Sequence, residues 1–122
     1  MIKVCISGYY GFDNAGDEAI LFAMIRGLRK EFPNIEISVL SNEPEKTAAA
    51  YGVTAYDRWK WWQIHKAIMS SDILISGGGG LLQDVTGKKS IMYYTQVMKM
   101  ALRRKRPVFI FSQGVGPVND SW

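Results

Sequence analysis

The stretch "SGYYGFDNAGDEAIL", Ser7–Leu21, decides how this chain folds. The apolar run before it, Met1 to Ile6, reads as a buried strand, and Glu18 to Lys30 reads as a helix, with apolar residues returning at helical spacing. Between them lies a strand-to-helix loop holding Gly8, Gly11 and Gly16, the adjacent Tyr9 and Tyr10, Asn14, and the carboxylates Asp17 and Glu18. Glycines there allow positive backbone angles and close approach of a ligand. Asn14 and Asp17 place side-chain oxygens at the mouth of the helix. Cap preference alone also explains an aspartate at 17, so capping and chemistry both stay open for it.

Working outward, strand-like and helix-like patterns alternate. Strands are expected at Ile2–Ser7, Glu36–Leu40, Val53–Ala55, Ile73–Ser76 and Pro107–Ser112, and helices at Glu18–Lys30, Glu45–Tyr51, Trp59–Ser70 and Ile91–Arg104. The first helix stops before Pro33, and the short one after Pro44 stops at Gly52. Such alternation predicts an α/β fold, a Rossmann-like doubly wound parallel sheet of five strands in the order 3-2-1-4-5. Ligands of such sheets bind outside the carboxyl ends of the strands, near the switch in strand order. The loops "GYYGFDNAGDEA", "GGGGLLQDVTGKKS" and "QGVGPVNDSW" follow strands one, four and five, which that order makes neighbours. Gly77, Gly78, Gly79 and Gly80 leave backbone amides uncovered, as anion-binding nests do, and Gln83 and Asp84 add hydrogen-bonding groups. A tight turn that lets the next helix pack closely explains the same glycines.

Composition bounds the function. The chain's 122 residues, 48% of them hydrophobic, suffice for one compact core. No continuous apolar run reaches the roughly 18 residues of a membrane span, and the start lacks the pattern of a signal peptide. The expected location is the cytoplasm, with a peripheral position at the inner face of the membrane left open. The lone cysteine, Cys5, falls inside the first predicted strand and reads as a buried thiol, which leaves no disulfide framework and no cysteine cluster for zinc. The net charge of +4 is local, with Arg103, Arg104, Lys105 and Arg106 crowding the end of a predicted helix. The helix dipole favours cations there, and a patch drawing an anionic partner is the alternative. No nucleic-acid motif accompanies the patch, so no nucleic-acid partner is expected. The spacing of Gly8, Gly11 and Gly16 is not the dinucleotide fingerprint, and no Gly-Lys-Ser or Gly-Lys-Thr follows the first strand. His65 sits mid-helix in "KWWQIHKAI" and reads as structural or surface. Tyr56, Trp59, Trp61 and Trp62 cluster around the third helix; Trp59 and Trp62, spaced i and i+3, predict core or interface packing, with a polymer platform as the alternative. Of Tyr93 and Tyr94, one is expected to border the cleft.

The segments "GYYGFDNAGDEAIL", "DILISGGGGLLQD" and "FSQGVGPV" together resemble the polysaccharide pyruvyl transferase family, in particular the bacterial enzymes acting on cell-wall polymers. The resemblance implies a glycosyltransferase-B-like enzyme of two Rossmann-like halves with catalysis between them. Residues 1–122 would be the amino-terminal half, ending before a second domain that carries the histidine and basic residues for phosphoenolpyruvate. An isolated half is expected to be inactive and, with its cleft surface exposed, to self-associate. Family members transfer the enolpyruvyl unit of phosphoenolpyruvate to a sugar, commonly N-acetylmannosamine, forming a pyruvate ketal and releasing phosphate. The partners implied are a cell-wall polysaccharide or its lipid-linked sugar precursor, with phosphoenolpyruvate as donor substrate and no further cofactor or metal.

On that reading Asp17 is the first candidate for general base and charge stabiliser, with Glu18 the weaker one. Asn14, Gln83, Asp84 and Gln113 would orient sugar hydroxyls, Gly77 to Gly80, Gly114 and Gly116 would admit ligand to the backbone, and Tyr9 or Tyr10 would stack on a pyranose. Two other functions fit the same architecture: half of a glycosyltransferase using a sugar nucleotide, and a nonenzymatic carbohydrate-binding module.

Overall fold

Residues 2–77 and 88–110 are described by the computed structural model. Their strands are β1 (Lys3–Ser7), β2 (Glu36–Ser41), β3 (Thr54–Asp57), β4 (Ile73–Ser76) and β5 (Val108–Ile110); their helices are α1 (Ala15–Glu31), α2 (Pro44–Tyr51), α3 (Trp61–Met69) and α4 (Lys88–Arg103). The strands form one sheet in the order β3-β2-β1-β4-β5, parallel at every pairing, as expected. β1 is central, with Val4 opposite Ile37 on one side and Ile73 on the other.

Alternation along β1 explains why both faces are covered. Val4 and Ile6 pack with Leu21, Met24 and Ile25 of α1, while Cys5, one residue out of phase, packs with Ile64 and Ile68 of α3 and Val97 and Ala101 of α4. A strand buried on both faces reads as an unbroken apolar run, the pattern at Val4–Ile6. Cys5 is fully buried, and burial pushes its thiol up to about 12, so it stays protonated and inert. No helix among the described residues is long and apolar enough to cross a membrane.

Three helix starts differ by two residues or more from the expected positions: α4 begins at Lys88, ahead of Ile91, and local hydrogen bonds account for the other two. α1 begins at Ala15, ahead of Glu18, because Asn14 caps it: the Asp17 N–H donates to Asn14 Oδ1 at 3.2 Å. The cap is therefore Asn14 and not Asp17. α3 begins at Trp61, two residues late, because Asp57 Oδ1 accepts the Trp59 N–H at 2.9 Å and bends the chain in an Asx turn. Trp59 thus precedes the helix and shares no helical face with Trp62. With Trp59, Trp61 and Trp62 at 58%, 47% and 65% exposure, these tryptophans are not in the core, and of the two expected kinds of packing only an interface is left for them.

Gly8 and Gly77 serve packing. A Cβ on Gly77 would lie 2.5 Å from Tyr10 Oη, and one on Gly8 would lie 2.4 Å from Tyr10 Cζ, so both glycines leave room for the buried Tyr10 ring. Gly77→Ala is expected to lower stability by about 1–3 kcal/mol, the usual cost of overpacking a core. Because the clash is with the hydroxyl, adding Tyr10→Phe should restore much of the loss. Urea unfolding of the single and double variants checks this, and a cost unchanged by Tyr10→Phe would place the strain elsewhere.

Candidate functional site

The loops after β1, β2 and β3 meet at the carboxyl end of the sheet, and two polar residues tie them together. Asn42, after β2, donates from Nδ2 to the Gly11 carbonyl at 3.2 Å and accepts the Trp59 indole N–H at Oδ1 at 2.6 Å; its own N–H donates to the Tyr10 carbonyl at 3.0 Å. Glu18 accepts the Gly11 N–H at Oε2 (2.9 Å) and the Tyr51 hydroxyl at Oε1 (2.5 Å). Gly11 has φ +84°, in the left-handed region, with the Ser41 and Asn42 atoms packed where a side chain would begin. The β1–α1 loop is thus fixed by one side chain from the next strand's end and one from its own helix. The ion pair of Lys46 Nζ with Asp13 Oδ1 at 3.0 Å is solvent-exposed and adds little.

On this frame stands a group the sequence reading passed over. Arg58 follows β3, is 4% exposed, and lies among five aromatic rings. Its Cζ is 4.3 Å from the Tyr93 ring centroid, 4.8 Å from Trp59 and 4.9 Å from Phe12, with Tyr94 and Tyr9 at 5.6 and 5.8 Å. Ring quadrupoles offset part of the desolvation that burial of a guanidinium entails. Arg58 Nη2 donates to Tyr94 Oη at 3.1 Å, and Nε has no partner among the described residues. The rings brace one another. Tyr9 and Phe12 stack at 4.0 Å, Phe12 meets Trp59 edge-on at 6.3 Å, and Tyr93 lies 6.1 Å from Trp59 and 5.1 Å from Tyr94.

The two α4 tyrosines remain neutral phenols. Burial pushes Tyr93 up to about 12 even though the adjacent Arg58 pulls the other way. Burial raises Tyr94 further, against the pull of Arg58, and the negative charge of Asp17 adds to the rise. Asp17 also opposes ionisation of Tyr10, after the larger effect of burial. Asp17, in the first turn of α1, thus adds a minor contribution, after burial, to keeping Tyr94 neutral.

The expected residues divide as follows. Asp17 and Asn14 lie at the α1 terminus on the rim, Asn14 as cap. Tyr10 is fully buried, so it has no open face for a sugar; Tyr9, at 38% exposure, is the tyrosine of the pair on the surface. Glu18 has both carboxylate oxygens engaged by Gly11 and Tyr51, which makes it a brace for the loop. Gly77 is buried, with Tyr10 and Met24 filling the space where a side chain would begin. Gly78, Gly79, Gly80, Gln83, Asp84, Gln113, Gly114 and Gly116 lie outside the described residues. Arg58 and Asn42 were missed, although Arg58 stands where ligand sites of parallel sheets gather, directly after a strand and flanked by aromatic residues in "YDRWKWW".

Comparisons with curated proteins and with solved structures gave no match. The sequence profile of the family described as polysaccharide pyruvyl transferase matches residues 14–122, a span that includes Asn14, Asp17 and Arg58 but not Tyr9 and Phe12. On that match, the chain belongs to the polysaccharide pyruvyl transferase family.

Proposed function

We propose that this chain forms the acceptor-sugar side of a transferase that moves the enolpyruvyl unit of phosphoenolpyruvate onto a cell-wall polysaccharide sugar. The observation that carries the reading is the Arg58 enclosure: a fixed guanidinium edged by the exposed rings of Tyr9 and Trp59, at the carboxyl end of a parallel sheet. Aromatic faces pack against the C–H faces of pyranoses, and a guanidinium in low dielectric binds hydroxyl oxygens and anionic groups strongly. In this proposal the enzyme is glycosyltransferase-B-like and cytoplasmic, and a second Rossmann-like half holds phosphoenolpyruvate opposite this rim.

The chemistry then needs few groups from this side. One sugar hydroxyl oxygen bonds to C2 of the enolpyruvyl group as the methylene carbon takes a proton and becomes methyl. The C2–O bond to phosphate breaks, and a second hydroxyl oxygen bonds to C2 to close the ketal. Of the two hydroxyl protons released, one balances the new methyl group and the other leaves with phosphate. Asp17 takes a hydroxyl proton and stabilises the cationic carbon, and Arg58 fixes the reacting sugar against the aromatic rim.

Titration of tryptophan fluorescence with N-acetylmannosamine tests the acceptor side. Trp59→Ala should weaken binding by roughly tenfold, within the range of one aromatic contact. Binding unchanged by Trp59→Ala would remove the aromatic rim from acceptor recognition.

A further inference from the structure

The outer face of α3 and α4 differs in charge from the rest of the molecule. Neither helix contains an aspartate or a glutamate. From Arg58 to Ile110 the sequence has ten basic residues against the two acidic ones Asp72 and Asp84, whereas from Ile2 to Asp57 acidic residues outnumber basic ones. A groove between the two helices is lined by Trp61 and His65 of α3 and by Gln96, Lys99, Met100 and Arg103 of α4, with Arg104 just beyond. Beside it, on the outer side of α3, lie Trp62 and Met69, 65% and 41% exposed.

The helix dipole does not account for this pattern. It favours cations in the last turn, which covers Arg103 and Arg104 but neither Lys99, one turn earlier, nor the lack of acidic residues along both helices. Arg106 has the structural role at that end: its Nε donates to the Ser71 carbonyl at 2.8 Å and its Nη2 to the Met69 carbonyl at 3.1 Å. Lys99, Arg103 and Arg104 are left on the surface. Exposed tryptophans beside a row of cations suit a bilayer interface, where indole rings settle at headgroup depth and cations meet lipid phosphates. A second copy of the same face would bring like charges together, which disfavours a symmetric dimer through it.

We propose that the outer face of α3 and α4 docks on an anionic lipid bilayer, with Lys99, Arg103 and Arg104 against lipid phosphates and Trp61, Trp62 and Met69 in the interfacial layer. The inference is independent of the reaction assigned to the Arg58 rim.

Co-sedimentation of the chain with phosphatidylcholine vesicles, with and without phosphatidylglycerol, tests it. The chain should sediment with the anionic vesicles and not with phosphatidylcholine alone, and its tryptophan emission should shift to the blue. Neutralising Lys99, Arg103 and Arg104 together to glutamine should weaken binding by about fivefold per cation removed. Trp62→Ser, which keeps every charge, should weaken binding and reduce the blue shift, and circular dichroism should show both variants folded. Equal binding to both vesicle types, or binding unchanged in the triple variant, would overturn the proposal. So would anionic-vesicle binding unaffected by Trp62→Ser and matched by equally tight binding to duplex DNA, the behaviour of a general polyanion patch.

Discussion

Arg58→Met in the full-length protein should reduce phosphate release from phosphoenolpyruvate and acceptor by about 100-fold or more, the effect of removing one charge-stabilising donor from a desolvated site. The same change should leave the melting temperature unaltered or raise it. Replacing a buried charge by an apolar side chain of similar size is often neutral or stabilising, by about 1–4 kcal/mol, and a thioether among aromatic rings makes favourable contacts. The five rings around the guanidinium supply such a lining. A split between rate and stability is the signature of a group kept for chemistry at a cost to folding. The opposite pattern, a large fall in melting temperature with turnover per folded molecule intact, would make Arg58 a structural cation and refute its place in the site.

That split also bears on what could be read in advance. The strand order followed from alternation of elements, because β1 and β4 are apolar on both faces and the connecting segments carry helical periodicity. Periodicity places elements but not caps, which are decided by single hydrogen bonds. Asn14 starts α1 early and the Asp57 side chain starts α3 late, and the second of these moves Trp59 off the helix and onto the rim. The site suffered from a related limit. Sequence pattern singles out loops dense in glycine and acid, and so drew attention to Glu18 and Tyr10, whose roles in the structure are to brace the loop and fill the core. Arg58 has only Trp59 of its enclosing rings beside it in the sequence, and the other four come from the β1–α1 loop and from α4. Contacts between residues so far apart in the chain become visible only when the sheet aligns the strand ends.

Asp17 is where the structure sharpens a question left open by sequence. With Asn14 as the cap of α1, Asp17 is not needed for that role; it contributes its backbone N–H to the cap, which any residue but proline supplies. Its side chain adds a favourable dipole interaction at the helix start, worth about 0.3–1 kcal/mol. Asp17→Asn, which keeps the side chain's shape and leaves the cap in place, should therefore keep the fold, whereas Asn14→Ala, which removes the cap, should cost about 1 kcal/mol. Turnover should rank the two in reverse order. If Asp17 takes the hydroxyl proton, Asp17→Asn keeps the shape but lacks the base, and phosphate release should fall by about 100-fold or more. Asn14→Ala should retain most of the activity at temperatures where the protein is folded. Phosphate release and melting curves measured together on both variants decide the matter. A folded Asp17→Asn enzyme with near-normal turnover would remove the carboxylate from the reaction and leave Arg58 and the aromatic rim as the functional groups of this side.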